Sequence, residues 1–382
     1  MSPISSSQAA INTESGLVSV EPFRAAVVAG ATARLLTHRM PAAIGGSTLA
    51  TTVLFVPRGL TPSGGWPIVV WSHGTTTGGQ KRRAPSLSAT LDGGLTADGS
   101  VTGYVRVIES FVVAGYAVVA PDFEGLGVAA QNPHPYYSSS SLSRSLVHGV
   151  QAAHQADESL STRWASVGHS EGGHGALAAE MHSDEAPGLT HVGAVAFAPF
   201  TSVGAIVEHN GDQVTLDPTN ALQYLVQQNF NVALMAAGLR ALNPDFDYGS
   251  VMGPDLERLM PSVLTKGSVD IVADITDAIS GRSSALFTGF KPNWDQAADV
   301  HQFMAENDPA LVEGFTVQRP TLVIQGANDI SVPEHLTSAF TDRLSRAGAP
   351  ITYRKYAAAD HFTIVDQGRS EALAFLLPLL SD

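Results

Sequence analysis

The chain of 382 residues contains no cysteine, which removes disulfides and thiolate metal sites from consideration. Lysine is scarce, and basic residues number 21 against 35 acidic ones, giving a formal charge of −14. A surface of that sign repels phosphate backbones, so nucleic acid is not expected as a partner. The one basic cluster, Lys81-Arg82-Arg83, reads as solvated loop. No apolar run approaches the length of a transmembrane helix. The segment Met1–Gly16 is polar and Ser-rich, without a signal peptide's apolar stretch. Cytoplasm, and secretion after loss of a leader, both stay open. There is no His-Glu-x-x-His and no dinucleotide-type glycine fingerprint, so no metal and no cofactor are expected. Asp245-Phe246-Asp247-Tyr248-Gly249 lacks the ligand spacing and distant glutamate of a calcium loop.

Apolar residues make up 44% of the chain, ample for a large core, and the length suggests a core plus a sizeable insertion. Ala33–Met40 and Ser47–Pro57 read as an antiparallel pair, and Trp66–Trp71 as a strand buried on both faces. A Gly/Ser/Thr-rich stretch, Gly74–Gly103, leads to a helical pattern at Val105–Val113. A strand at Tyr116–Ala120, a helix at Ser141–Gln155 and strands at Arg163–Gly168 and His191–Ala198 follow. Residues 201–318 carry helical patterns (Asn220–Leu239, Leu256–Leu264, Asp270–Ser280, Val300–Glu306) with almost no strand signal. Alternation resumes with Thr321–Gln325, Glu334–Ala347, Ile351–Tyr356 and Arg369–Leu380. Strands spaced by helices imply an α/β fold, a mostly parallel sheet flanked by helices. The expected division is a core of residues 1–200 and 319–382 with a helical cap, 201–318, inserted between two strands.

The most informative motif is Gly168-His169-Ser170-Glu171-Gly172, between an apolar strand and a small-residue helix. This is the strand–turn–helix context in which a sharp turn exposes a nucleophilic serine. With 36 glycines in the chain the motif alone is weak, and its weight comes from the other parts of the machinery. A serine needs a histidine to take its proton and a carboxylate to orient that histidine. The order Ser, acid, His selects Asp329, just past a buried strand, and His361, just past the last one. His335, His174 and Asp360 are weaker rivals. Oxyanion donors are expected from the backbone N–H of Glu171 and of Thr75, the latter in a Ser72-His73-Gly74-Thr75-Thr76 loop. His73 and His169 read as packing and hydrogen-bonding neighbours. The Asp122–Gly125 stretch is expected at the pocket rim, and Asn132–Tyr137 reads as a rigid aromatic loop beside it. Candidates for substrate contact are Thr76, Phe123, Tyr136, Phe200 and Phe362.

Five stretches together resemble the secretory lipase (lipase A-like) family of alpha/beta-hydrolases: Val70–Thr75, Gly115–Gly127, His134-Pro135-Tyr136, Gly168–Gly173 and Gln325–Asp329. The resemblance implies a Ser170–Asp329–His361 triad, a helical cap and a carboxylic-ester site. The expected function is therefore a serine esterase or lipase working through an acyl-enzyme on a small-molecule ester. A peptidase or acyltransferase on the same triad, or a non-catalytic ligand-binding protein of the same fold, remain alternatives.

Overall fold

The computed structural model of the chain describes residues 16–24, 28–77, 85–87, 104–281 and 286–381. The Lys81-Arg82-Arg83 cluster, most of the Gly74–Gly103 stretch and the Ser-rich first 15 residues lie outside them. Among the described residues nine strands form one sheet: β1 (Gly16–Pro22), β2 (Ala31–Pro41), β3 (Ser47–Pro57), β4 (Trp66–Ser72), β5 (Ala117–Pro121), β6 (Leu160–His169), β7 (Thr190–Phe197), β8 (Thr321–Gly326) and β9 (Ile351–Tyr356). Their order is β1-β2-β3-β5-β4-β6-β7-β8-β9. The first three run antiparallel, β3 meets β5 antiparallel, and every pair from β5 onward is parallel. The order reverses around β4, so the carboxyl ends of β4 and β6 open a crevice where such sheets bind ligands. The Gly168–Gly172 motif lies at that end of β6.

Period-two alternation divides the apolar strand residues between two faces. Val69, Trp71, Val118, Ala120, Ala165 and Val167 pack on one face with helices α1 (Val105–Val113), α11 (Thr363–Gln367) and α12 (Arg369–Leu380). Ile68, Val70, Ala117, Val119 and Trp164 pack on the other with α2 (Ser139–Ala156). Helices α3 (Glu171–Ala178) and α10 (Glu334–Arg346) cover a smaller cluster around Val323 and Phe340. Each such large side chain taken fully out of water contributes about 1.5–3 kcal/mol, and Trp71 and Trp164 are both wholly buried.

Between β7 and β8 the described residues hold six helices: α4 (Val203–Leu216), α5 (Ala221–Leu242), α6 (Pro254–Glu257), α7 (Met260–Thr265), α8 (Ser268–Ser280) and α9 (Ala298–Asn307). They share a hydrophobic cluster that also takes in Tyr136, Tyr137, Phe200 and Val332 from the sheet side. Two expectations change here. The single helix expected over 256–264 is broken, because Pro261 lacks an N–H and fits only the first turn of a new helix. Helix α4, absent from the sequence reading, begins at Ser202, whose hydroxyl accepts from Ala205 N–H, while Asp308 at the end of α9 accepts from Val203 N–H at 3.0 Å.

Candidate active site

Ser170 sits at φ 57°, ψ −120°, backbone that an L-residue adopts only under strain. The turn is over-determined by its own backbone bonds: Ser170 N–H donates to Phe197 O, and Phe200 N–H and His174 N–H donate to Ser170 O, at 2.9–3.0 Å. Small residues are a steric necessity on either side. A Cβ on Gly168 would stand 2.0 Å from Gly172 O, and one on Gly172 would stand 2.0 Å from Ser72 O. The strand, turn and helix therefore close only with glycine at both places.

His361 lies in the loop after β9, with its Nε2 3.0 Å from Ser170 Oγ and its Nδ1 2.7 Å from Asp329 Oδ2. Asp329 follows β8 and is held from all sides. Its Oδ1 accepts Ser331 N–H and Val332 N–H at 2.9 and 2.8 Å, and its Oδ2 also accepts Gln325 Nε2 at 2.9 Å. Gly326 lets the His361 loop lie against this strand end, since a Cβ there would stand 2.5 Å from Ala359 O. The arrangement can draw a proton from the serine and stabilise the charge that appears on the imidazole. The rivals point elsewhere. Asp360 is exposed and accepts the N–H groups of Phe362 and Thr363 at the start of α11. His335 is exposed beside His209, and His174 Nε2 meets Ser139 Oγ at 2.6 Å.

Glu171 opens α3, where helical N–H groups have no partner one turn back. Its own side chain is fully buried. Burial works to raise its pKa, but the hydrogen bond and charge of His134 and the Tyr137 N–H hold the carboxyl below its usual range. Tyr137, fastened by that carboxylate at 3.0 Å, has a positive φ of 64° and faces the site. Thr75 lies near the start of the loop after β4.

A narrow pocket joins these groups, lined by Thr75, Tyr137, Ser170, Phe200, Gln227, Phe230, Asn231, Ser331, Val332, His361 and Phe362. It brings Thr75, Phe200 and Phe362 to the serine. Three expected contacts are placed differently. Phe123 is behind the site, its ring stacked on His73 at 4.0 Å between centroids. Tyr136 is buried with its hydroxyl donating to Thr76 O, so neither Tyr136 nor Thr76 reaches the lining. The Asp122 stretch is likewise interior: Asp122 accepts from Thr51 and from Ser86 N–H, and burial pushes its pKa up to about 6. Sequence reasoning missed Gln227, Phe230 and Asn231 on α5 and Ser331 and Val332 after Asp329, which carry no motif. Among the described residues no cluster of three or more His, Asp or Glu could hold a metal ion.

A family model described as secretory lipase matches residues 96–381. The chain belongs to the secretory lipase family. It is accordingly a carboxylic-ester hydrolase of alpha/beta fold. No curated protein gives a significant sequence match. Among solved structures, a mutant form of the rice cell wall degrading esterase LipA from Xanthomonas oryzae is similar with a TM-score of 0.70 and 18% identity, over 96% of this chain and 98% of that one. Candida antarctica lipase A in its closed state gives a TM-score of 0.71 at 16% identity, over 96% and 82% of the two chains. A protein from Legionella pneumophila gives 0.70 at 18%, over 97% and 100%. Identities this low speak for the fold. Among the described residues no helix is long and apolar enough to cross a membrane.

Proposed function

We propose that this secretory lipase family member cleaves small esters through an acyl-enzyme on Ser170, with His361 as base and Asp329 as its orienting carboxylate. What supports the reading is the unbroken chain of contacts, 3.0 Å from Ser170 Oγ to His361 Nε2 and 2.7 Å from Nδ1 to Asp329, mounted on a strained turn. As Ser170 Oγ bonds to the carbonyl carbon, its proton passes to His361 Nε2. The carbonyl oxygen, now anionic, faces the N–H groups of Glu171 and Thr75. When the intermediate collapses, His361 returns the proton to the departing alkoxide. A water then repeats the sequence and releases the acid. Residues 201–318 act as a cap, whose α5 roofs the pocket with Phe230 and closes a mainly aromatic and aliphatic chamber. The apolar share of this lining is fit to hold the acyl part of a small ester.

Ser170→Ala should lower kcat on 4-nitrophenyl butyrate by about 10⁶ if the three groups act as a unit. It should also abolish labelling by a fluorophosphonate. Labelling at another residue, or hydrolysis within tenfold of the native rate, would refute the assignment.

A further inference from the structure

Oxyanion loop, nucleophile and base come from three distant segments, and one hydrogen-bonded chain away from the reacting atoms joins them. Gly74 N–H, one residue before Thr75, donates to Tyr104 OH at 3.1 Å. Tyr104 OH lies 2.7 Å from His169 Nδ1. His169 Nε2 lies 2.7 Å from the carbonyl oxygen of His361. The direction of every bond follows from the last. A carbonyl only accepts, so Nε2 carries the proton. Burial, with the neighbouring His361 adding to it, keeps the His169 ring neutral, so Nδ1 is bare and the tyrosine must donate to it. Each group thus donates forward, from Gly74 through Tyr104 and His169 to His361, an order in which each bond polarises the next. Tyr104 and His169 are both buried, and Tyr104 packs on Trp71 at 4.8 Å between ring centroids. His169 packs against the His361 ring at 4.6 Å.

We propose that Tyr104 and His169 are positioning residues that tie the Thr75 loop to the His361 loop through the residue preceding the nucleophile. The inference rests on the Ser170–His361–Asp329 reading and adds a device that sets the distance between oxyanion donor and base. Neither side chain is itself part of the substrate pocket lining, so substrate affinity in the ground state is not their work. Their effect falls where geometry has to be held, on the tetrahedral intermediate.

The test measures kcat and KM on 4-nitrophenyl butyrate, the Ki of an alkyl trifluoromethyl ketone, and the thermal midpoint, for Tyr104→Phe, His169→Leu, the double variant and His169→Gln. The ketone is chosen because its bound adduct needs oxyanion donors and base together. Tyr104→Phe and His169→Leu should each lower kcat about 10–100-fold and weaken ketone binding in parallel, with KM changed less than threefold. The double variant should be little worse than either single one, since both cut the same chain. His169→Gln, which keeps one acceptor and one donor, should recover at least a third of native kcat. Tyr104→Phe with kcat and Ki within twofold of native overturns the proposal. So does a loss in which kcat, KM and thermal midpoint fall together with additive effects, because that marks packing alone. Ser170→Ala run alongside separates the two readings: if it stays active the triad has failed, and if it is dead while Tyr104→Phe is fully active only the positioning chain has failed.

Discussion

Replacing Asp329 by asparagine exchanges one carboxylate oxygen for an NH2 and tests the hydrogen-bond logic of the whole site. In the native protein both carboxylate oxygens accept: Oδ1 from Ser331 N–H and Val332 N–H, Oδ2 from Gln325 Nε2 and His361 Nδ1. An asparagine keeps its oxygen on the two backbone donors and turns an NH2 toward Gln325 and His361. Two donors then face a third. Gln325 Nε2 retains the Val332 carbonyl at 3.0 Å, so its loss is partial. His361 has one escape, which is to move its proton to Nε2 and accept at Nδ1. That tautomer presents N–H to Ser170 and cannot take the serine proton. By analogy with the same exchange in a serine protease, kcat should fall about 10⁴-fold with KM nearly unchanged. Replacing a charge-assisted acceptor by a neutral group should cost about 1–3 kcal/mol of stability. For a chain this long that lowers the thermal midpoint by only about 1–4 °C, too little to explain the lost activity by unfolding. Initial rates on 4-nitrophenyl butyrate at pH 8, read beside a melting curve, make the check. A variant within tenfold of native kcat would mean that Asp329 does not set the His361 tautomer, and the mechanism would need another carboxylate.

Other perturbations follow from the same contacts. Gly172→Ala puts a Cβ 2.0 Å from Ser72 O and 2.3 Å from His73 O, both backbone atoms without a rotamer to yield; destabilisation above about 4 kcal/mol is expected, read as lost soluble yield or a lower urea midpoint. Burial lowers the histidines His38 and His191 to about 3 and His73 and His174 to about 4, so the unfolded chain binds more protons below pH 6.5 and stability should drain away as pH falls from there toward 4. Asp308 has the opposite sign: burial raises it to about 7 against the hydrogen bonds of Ser202 and Val203, so Asp308→Asn should gain relative to native between pH 4.5 and 8, by up to about 4 kcal/mol in urea melts. Phe230→Ala removes a ring from the pocket roof and should move the best 4-nitrophenyl ester toward longer acyl chains, and an unchanged chain-length profile would place the acyl group elsewhere.

Legibility in the sequence followed locality. The helix at Val105–Val113, the strand at Ile351–Tyr356 and the helix at Arg369–Leu380 are bounded as the pattern has them, and each of the two helices buries one face of its own short segment. The Ser170 turn was readable because its positive φ can be closed only by glycines two residues away on either side. Strand β1 left little trace, since it is an edge strand with Val18 and Val20 exposed and Ser19 between them. Helix α4 was missed for a different reason. Its interior carries Gly204, Asn210 and Gly211, and part of its cap is Asp308, more than a hundred residues away. The pocket residues of α5 were equally hidden, because Gln227, Phe230 and Asn231 become neighbours of Ser170 only through tertiary packing.

Histidine illustrates the same boundary. His73, His134, His169, His174 and His361 all cluster around the Ser170 turn and its packing partners, and composition cannot rank them as bases. Their partners can. His73 Nδ1 faces Gly74 O, His134 Nδ1 faces Glu124 O, His169 Nε2 faces His361 O, and His174 Nε2 faces Ser139 Oγ. A carbonyl or hydroxyl fixes a neutral tautomer but gives little to an imidazolium, whereas a carboxylate stabilises the charged ring. His134 also has a carboxylate, Glu171 at 3.4 Å, but its other nitrogen is taken by the Glu124 carbonyl, whereas His361 has Asp329 at 2.7 Å on one nitrogen and the serine hydroxyl on the other. Burial that holds His169 neutral also matters for the proposed base, since a positive ring 4.6 Å from His361 would oppose the proton assigned to it in that reading. On the proposed mechanism, selection of the base is thus a property of the surroundings of all five rings, and changing the partner of a neutral one should be felt at His361.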